Sequence, residues 1–276
     1  MEILYGWPLR PFDRAHPVRG VFNDPRIAGS SRSFHFGIDI SAPNGAPVYA
    51  VRAGEVHLEG GRSLAVVAGD TAYGYWHVVP AVAHRQRVGK HELLGHVEAP
   101  WLHLHFAERR AGSYRDPLRP GALSPWFDAT RPHVTKIVLS RNGRALAADS
   151  IFGAVDVIAE AHQMPPLPVP PPWDGLPVTP GRLRWRVRRG NRTVRPWHTP
   201  IDLSKGLLPP DRFSWIYAPR TRQNRPGRPG LYRFYLAHTW STRLLPDAHY
   251  RLEVEASDLH GNSGRLELPF TLVNDL

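Results

Sequence analysis

The 276-residue sequence contains no cysteine, so it can form neither a disulfide bond nor a thiolate metal site. It also has no run of about 18 apolar residues, the length that a membrane-spanning helix needs. The first residues, MEILYGWPLRPFD, lack a basic segment followed by an apolar one of about 7–15 residues, so we expect no signal peptide in this chain. The absence of cysteine leaves nitrogen and oxygen atoms as the expected ligands for any metal ion.

Long helical patterns are also scarce. Twenty-nine prolines and 24 glycines divide the sequence into short segments, while 42% of the residues are hydrophobic, enough for a sizeable core. Many of these segments are strand-like, as in "AYGYWHVV", "LRWRVR" and "YRLEVEAS". Short strands separated by Gly, Pro and Asn turns are typical of all-β proteins, so the predicted fold class is all-β, with antiparallel sheets.

Charge divides the chain into two parts. Residues 1–128 carry 14 Lys+Arg and 12 Asp+Glu, whereas residues 129–276 carry 21 and 12, so most of the net charge of +11 lies in the second part. We therefore predict two domains, over residues 1–126 and 127–276. Residues 164–180 hold eight prolines in 17 positions and should form an extended, polyproline-like loop of the second domain.

The segment "SFHFGIDIS" (33–41) alternates phenylalanine and isoleucine with His35, Gly37 and Asp39. This pattern predicts a strand with one apolar face and with His35 and Asp39 on the other. In a straight strand these two residues lie about 13 Å apart, too far to bind one metal ion at about 2 Å from each. Gly37 tolerates the bend that would bring them together. The segment is therefore either a surface strand or half of a metal site.

The segment "WLHLHFAE" (101–108) places His103 and His105 on one face of a second predicted strand, about 6.5–7 Å apart along it. Neutral imidazole nitrogen and carboxylate oxygen are the usual ligands of catalytic zinc sites that keep one position open. We therefore predict that His35, Asp39 and one of the two histidines bind a metal ion. The spacing does not say which of the two it is.

A further histidine, His77, lies in "AYGYWHVVP" on the same side of the predicted strand as Tyr73 and Tyr75. A single histidine of this kind is more typical of a structural or surface position. Its importance comes from the order in which the motifs follow one another, namely His-x3-Asp, then Tyr-x-His, then His-x-His. This order indicates one functional set.

With these motifs, the first half of the chain resembles the lysostaphin/LytM-type zinc endopeptidases, which cut the cross-bridges and stem peptides of peptidoglycan. The similarity extends from "HPVRGVF" (16–22) to "DPLRPGAL" (116–123) and includes "HFGIDISAPNGAPVYAVRAGEV", "YGYWHV", "RVGKHELLGHV" and "LHLHFAE". It implies an antiparallel-sheet peptidase domain.

The resemblance also implies the roles of individual residues. One Zn²⁺ ion would be held by His35, Asp39 and His105. His103 would be the catalytic partner of the metal-activated water, and His77 a second catalytic histidine. The segment "HVEAPW" (96–101) stands where such enzymes carry a Gly/Ser-rich stretch, so the choice of bond stays open.

The function implied by the resemblance is zinc-dependent hydrolysis of peptide bonds in bacterial peptidoglycan, in the cell envelope or outside the cell. The alternative is a catalytically silent relative that binds peptidoglycan or regulates a partner hydrolase. Silent relatives characteristically lose metal or catalytic residues, whereas all five positions are filled here. The active enzyme is therefore the favoured interpretation.

The second half resembles an immunoglobulin-like or fibronectin-like β-sandwich in a generic way. In "RLRWRVR" (182–188) the apolar residues should face inward, with Arg184, Arg186 and Arg188 facing outward. Such an arginine ladder suits an anionic wall polymer such as teichoic acid, although a solvated, charged face explains it equally well. No nucleic-acid-binding motif is recognisable, so a nucleic-acid partner is not expected.

Overall fold

The computed structural model describes residues 4–274, and nearly all of its regular structure is antiparallel β-sheet, which confirms the predicted fold class. In the described part of the first half the strands are β1 Val18–Gly20, β2 Pro25–Ala28, β3 Ser31–Phe34, β4 Ile38–Ser41, β5 Pro47–Tyr49, β6 Gly54–Leu58, β7 Ser63–Ala68, β8 Thr71–Trp76, β9 Val78–Pro80, β10 Arg87–Val88, β11 Leu93–Val97, β12 His103–Arg110 and β13 Ser113–Arg115.

The main sheet of the first half contains eight strands. Its order is β1-β4-β12-β8-β7-β6-β10, with β13 paired to β12. Strands β5, β11 and β9 form a smaller sheet, and β2 pairs with β3. Ile38, Ile40, Leu104 and Phe106 are fully buried in the core of this half, which fixes the opposite faces of β4 and β12 as the ones that can carry a site.

The second half forms two four-stranded sheets, in the orders β15-β14-β16-β19 and β18-β17-β20-β21. Its elements are β14 His133–Arg141, β15 Arg144–Ala145, β16 Ala154–His162, β17 Arg182–Arg189, β18 Arg192–Asp202, α1 Phe213–Ile216, β19 Arg233–Ser241, β20 His249–Ser257, β21 Ser263–Thr271, and the 3₁₀ turns Pro210–Arg212 and Thr242–Leu244. Side chains of both sheets, including the fully buried Trp185 and Phe234, share one core, so this half is a β-sandwich. Within residues 4–274, no helix has the length and apolar character needed to cross a membrane.

The arginine ladder on β17 is paired with glutamates of the neighbouring strand β20. Arg184 lies 2.7 Å from Glu255, and Arg186 and Arg188 lie 2.6 and 3.1 Å from Glu253. The register of β17 and β20 places Arg184 across from Glu255 and Arg186 across from Glu253, whereas Arg188 reaches Glu253 from the position opposite Arg251. Each of these arginines is therefore paired within the sheet, and the described contacts give no support to the predicted anionic wall polymer.

The first half of the chain contributes one buried side chain to the core of the second. Phe34, the last residue of β3, packs with its ring centroid 5.5 Å from that of Phe213 and 5.8 Å from that of Tyr217. Strand β3 is therefore anchored in the β-sandwich. The boundary between residues 126 and 127 stays a prediction.

A buried asparagine provides a second connection. The side-chain nitrogen of Asn23 donates to the carbonyl oxygens of Leu203 and Gly206 at 2.7 and 2.9 Å, and its side-chain oxygen accepts from the Leu208 amide at 3.1 Å. Asn23 has a φ of 62°, a conformation that asparagine tolerates better than most residues. The turn that precedes β2 is thus fixed to the second half.

Candidate metal centre and active site

The chain bends sharply between His35 and Asp39. Strand β3 ends at Phe34 and β4 begins at Ile38, so residues 35–37 lie outside both strands. A Cβ atom on Gly37 would lie 2.3 Å from the Phe106 carbonyl oxygen, so only glycine allows this close approach to β12. The bend brings His35 Nε2 to within 3.2 Å of Asp39 Oδ1.

The bend also changes where the apolar residues of this segment lie. The prediction that residues 33–41 form one strand with a single apolar face is therefore wrong. Ile38 and Ile40 are buried in the core of the first half, whereas Phe34 is buried in that of the second. Phe36 packs against Trp76, with ring centroids 5.0 Å apart. Strict alternation holds only within β4, because the backbone leaves the strand before it.

The two histidines of β12 lie where a period of two places them. Strand β12 pairs with β4 on one side and β8 on the other, so its backbone is held by ladders on both edges. Leu104 and Phe106 point into the core, and the buried side chains of His103 and His105 lie on the opposite face. His105 is directly opposite Asp39 in the ladder. The sheet therefore sets the distance between these two residues.

Three donor atoms form a buried triangle. His35 Nε2 and His105 Nδ1 are 2.8 Å apart, and each lies 3.2 Å from Asp39 Oδ1. Ligand atoms around a tetrahedral ion with bonds of about 2.0–2.1 Å lie roughly 3.3 Å apart, close to these separations. Two ring nitrogens and a carboxylate oxygen are also the donor set that such an ion prefers. His35, Asp39 and His105 can therefore hold a metal ion.

Hydrogen bonds orient the first of these ligands. His35 Nδ1 donates to the Val21 carbonyl oxygen at 2.9 Å, which leaves Nε2 unprotonated and facing the triangle. The backbone amide of His35 donates to Asp24, and its carbonyl accepts from Asn23. Burial, together with the nearby charge of Arg26, lowers the pKa of His35 to about 3, so the ring is neutral at pH 7 and ready to act as a ligand.

Asp39 is held by an arginine that the sequence motifs did not indicate. Arg26 Nη2 lies 2.8 Å from Asp39 Oδ2, the oxygen that is not part of the triangle. Burial would raise the pKa of Asp39, but His35 and Arg26 hold it well below its usual value. Gly20 makes room for this carboxylate, since a Cβ there would lie 2.7 Å from Oδ2. Asp39 is therefore ionised and fixed in orientation.

His77 and His103 lie beside the triangle, with their ring centroids 4.6 Å apart. The ring of Trp101 stacks on that of His77, with the ring centroids 4.0 Å apart. Trp101 belongs to "HVEAPW", the segment that differs from the Gly/Ser-rich stretch of the family. Burial and the neighbouring His103 lower the pKa of His77 to about 4, so its ring is neutral at pH 7. The departure from the Gly/Ser-rich pattern thus adds an aromatic side chain to the site.

His103 Nδ1 has two competing neighbours. The Trp101 carbonyl oxygen lies 2.8 Å away and Arg19 Nη2 lies 2.7 Å away. A carbonyl can only accept and a guanidinium can only donate, so the ring satisfies one of them at a time. Donation to Trp101 leaves the lone pair on Nε2, whereas acceptance from Arg19 places the proton there.

All five residues predicted for the site line one cavity of about 470 Å³. The motifs missed Arg19, Arg26 and the four second-half residues of this cavity, Trp173, Gln223, Asn224 and Tyr232. Arg19 carries a weak signal, because it is the half-buried middle residue of a short strand, between the buried residues Val18 and Gly20. The second-half residues are more than 130 positions away in sequence from the motifs at 35–39, so no local pattern could find them.

Residues 33–117 match peptidase family M23, and this part of the chain is an M23 peptidase domain. The structure resembles Csd3 of Helicobacter pylori (TM-score 0.35, 21% identity over 42% of this chain and 34% of that chain) and a zinc-containing peptidase of Vibrio cholerae (TM-score 0.38, 22% identity, 44% and 41%). It also resembles a mutant catalytic domain of EnpA, a prophage-encoded M23 protein of Enterococcus faecalis (TM-score 0.33, 21% identity, 42% and 98%). The matched region spans less than half of the Csd3 and Vibrio chains. No curated protein matches this sequence.

Proposed function

We propose that this protein is a zinc-dependent endopeptidase that hydrolyses peptide bonds in the cross-bridges or stem peptides of bacterial peptidoglycan. The observation that carries the proposal is the buried triangle of His35, Asp39 and His105, which lies in an M23 domain and opens on a cavity shared with His77 and His103. The triangle would hold one Zn²⁺ ion. Because the substrate is a wall polymer, the protein would act in the cell envelope or outside the cell.

His103 is proposed as the general base. A zinc ion bound at the triangle would polarise the scissile carbonyl and lower the pKa of a water molecule toward neutrality. His103 takes the proton of the attacking water on Nε2, which lies 3.4 Å from Asp39 Oδ1, and passes it to the leaving amine. This role requires the tautomer in which Nδ1 donates to the Trp101 carbonyl oxygen.

His77 is proposed to stabilise the transition state. With a pKa of about 4, its ring is neutral at pH 7 and donates one N–H rather than a full positive charge. That N–H hydrogen-bonds the carbonyl oxygen of the scissile bond as negative charge develops on it. The stacked ring of Trp101 holds His77 in place, so little reorganisation accompanies the reaction.

The direct test is digestion of purified sacculi by the zinc-loaded full chain, with released fragments analysed by mass spectrometry. We expect new amine termini, whose identity names the bond, and no release by Asp39→Ala. His57→Ala is the matched control, because His57 lies on β6 and is not among the residues that line the cavity.

Intact sacculi with protein bound to them would contradict hydrolysis and favour the silent peptidoglycan-binding module. Equal release by wild type and Asp39→Ala would remove the metal triangle from the mechanism. If the protein neither cleaves nor binds the sacculi, the proposed cell-wall substrate is overturned. The anionic wall polymer is left out of the proposal, since the arginines of β17 are paired with glutamates.

A further inference from the structure

The second half of the chain borders the metal centre. Trp173, Gln223, Asn224 and Tyr232 line the same cavity as the histidines of β12. The first half alone therefore does not enclose the space above the metal ligands. The β-sandwich closes it on one side.

Trp173 lies close to the proposed general base. Its half-buried ring is stacked on the guanidinium of Arg19, with Cζ 3.8 Å from the ring centroid. The Nη2 atom of the same guanidinium lies 2.7 Å from His103 Nδ1. One side chain thus separates Trp173 from His103, which places the indole at the reacting end of the cavity.

The loop that carries Trp173 is fixed at its base. The backbone groups of Gln163 and Val178 exchange hydrogen bonds of 2.8 and 2.7 Å across residues 164–177. The Tyr232 hydroxyl donates to the Pro177 carbonyl oxygen at 3.0 Å. The Thr179 hydroxyl donates to Asp24 of the first half at 2.6 Å. Together with the loop's prolines, these contacts restrict the backbone, so this wall is formed before a substrate arrives.

Gln223 supplies a hydrogen-bond donor to the same wall. Its side-chain oxygen accepts from the Ile27 amide, which fixes the orientation of the side-chain amide. Its side-chain nitrogen has no hydrogen-bond partner among residues 4–274. A fixed N–H donor in a peptide-sized cavity suits a peptide carbonyl oxygen, and an indole that lines the same cavity suits the flat face of an extended peptide.

We propose that Trp173 and Gln223 are specificity-determining residues, which bind an extended stretch of the substrate peptide against the wall formed by β8 and β12. This inference rests on the proposed peptidase function. The β-sandwich is then part of the substrate groove rather than a separate binding module. Trp173 stacks on the peptide, and Gln223 donates to one of its carbonyl oxygens.

The test uses soluble peptidoglycan peptides of increasing length and the full chain. For Trp173→Ala we expect KM to rise at least tenfold for long peptides, with kcat and zinc content within twofold of wild type. Trp173→Phe should recover most of the loss. Gln223→Glu retains the oxygen that accepts from Ile27 but loses the N–H donor, and should raise KM severalfold. Trp215→Ala is the matched control, because Trp215 is an exposed tryptophan of α1 that does not line this cavity.

Binding of the same peptides to metal-free full-chain protein, measured by calorimetry, separates this inference from the proposed function. If wild type binds but does not cleave, hydrolysis fails, while tenfold weaker binding by Trp173→Ala still supports the groove. Unchanged KM and affinity in both variants would overturn the inference. Increased activity of Trp173→Ala would also overturn it, because the loop would then block the groove. If the variants lose both bound zinc and kcat, the role of Trp173 and Gln223 is structural instead.

Discussion

The two histidine-bearing segments of the proposed metal centre are held in different ways. His105 lies on β12, between two strands that pair with it, so the ladders on both edges fix its backbone. His35 lies outside the strands, and its ring and backbone are held by Val21, Asn23 and Asp24. Asn23 and the residue before His35 are in turn fixed to the β-sandwich. One proposed ligand is therefore local to the main sheet of the first half, and the other depends on both halves of the chain.

The comparison is most strongly tested by truncating the apolar residue that precedes each ligand. Phe34→Ala removes a ring from the core of the second half, and Leu104→Ala removes a side chain from that of the first. We expect Phe34→Ala to lower the free energy of unfolding by about 3–5 kcal/mol and Leu104→Ala by about 2–5 kcal/mol. Zinc affinity should weaken at least tenfold only in Phe34→Ala, because β12 keeps both of its ladders. Urea unfolding and chelator competition measure the two effects, and equal loss of affinity in both would contradict the comparison.

A second test uses the pH dependence of stability in the metal-free protein. The folded-state pKa of His35 is about 3, below the value of about 6.5 in an unfolded chain, so below pH 6.5 the unfolded state binds the extra proton. The contribution of His35 is complete above pH 6.5 and is lost as the pH falls toward 3, at roughly 1.4 kcal/mol per pH unit. Urea unfolding at pH 7, 6, 5 and 4 measures this loss. A flat profile would show that His35 is not buried as a neutral ring.

A third test loosens the turn that holds His35 while keeping the backbone conformation of the turn. Asn23→Gly keeps the positive φ but loses the side-chain hydrogen bonds to Leu203, Gly206 and Leu208. We expect a loss of about 1–3 kcal/mol in the free energy of unfolding and weaker zinc binding. Asn142→Gly, in the turn between β14 and β15, is the control at another positive φ. Zinc affinity equal to wild type in Asn23→Gly would separate this turn from the metal centre.

The smallest effect is expected on the outer face of the β-sandwich. Arg184→Ala removes one partner of Glu255, which keeps Arg265, and the Arg184 side chain is 40% exposed. We expect a change of about 1 kcal/mol or less in the free energy of unfolding, and unchanged binding to sacculi. A salt-sensitive loss of binding to sacculi that carry teichoic acid would instead support the hypothesis that the arginine ladder binds an anionic wall polymer.

The residues that could be predicted from the sequence are those that a local period or a motif reveals. The alternation around His103 and His105 predicted their common face, and the predicted bend at Gly37 is where the chain leaves the strand. The position of Phe34 could not be predicted, because its partners Phe213 and Tyr217 are about 180 residues away. Trp173 was missed for the same reason, since its loop was recognisable only by composition.

The burial of Phe34 in the β-sandwich has a consequence for the modularity of this protein. A first half excised near residue 126 would expose an aromatic ring one position from the proposed ligand His35, and Asn23 would lose its three side-chain hydrogen bonds to the second half. We therefore expect that joining the M23 region to an unrelated domain would give a chimera that is less stable and holds His35 less firmly. A domain exchange that keeps the site intact should instead transfer both halves of the chain together.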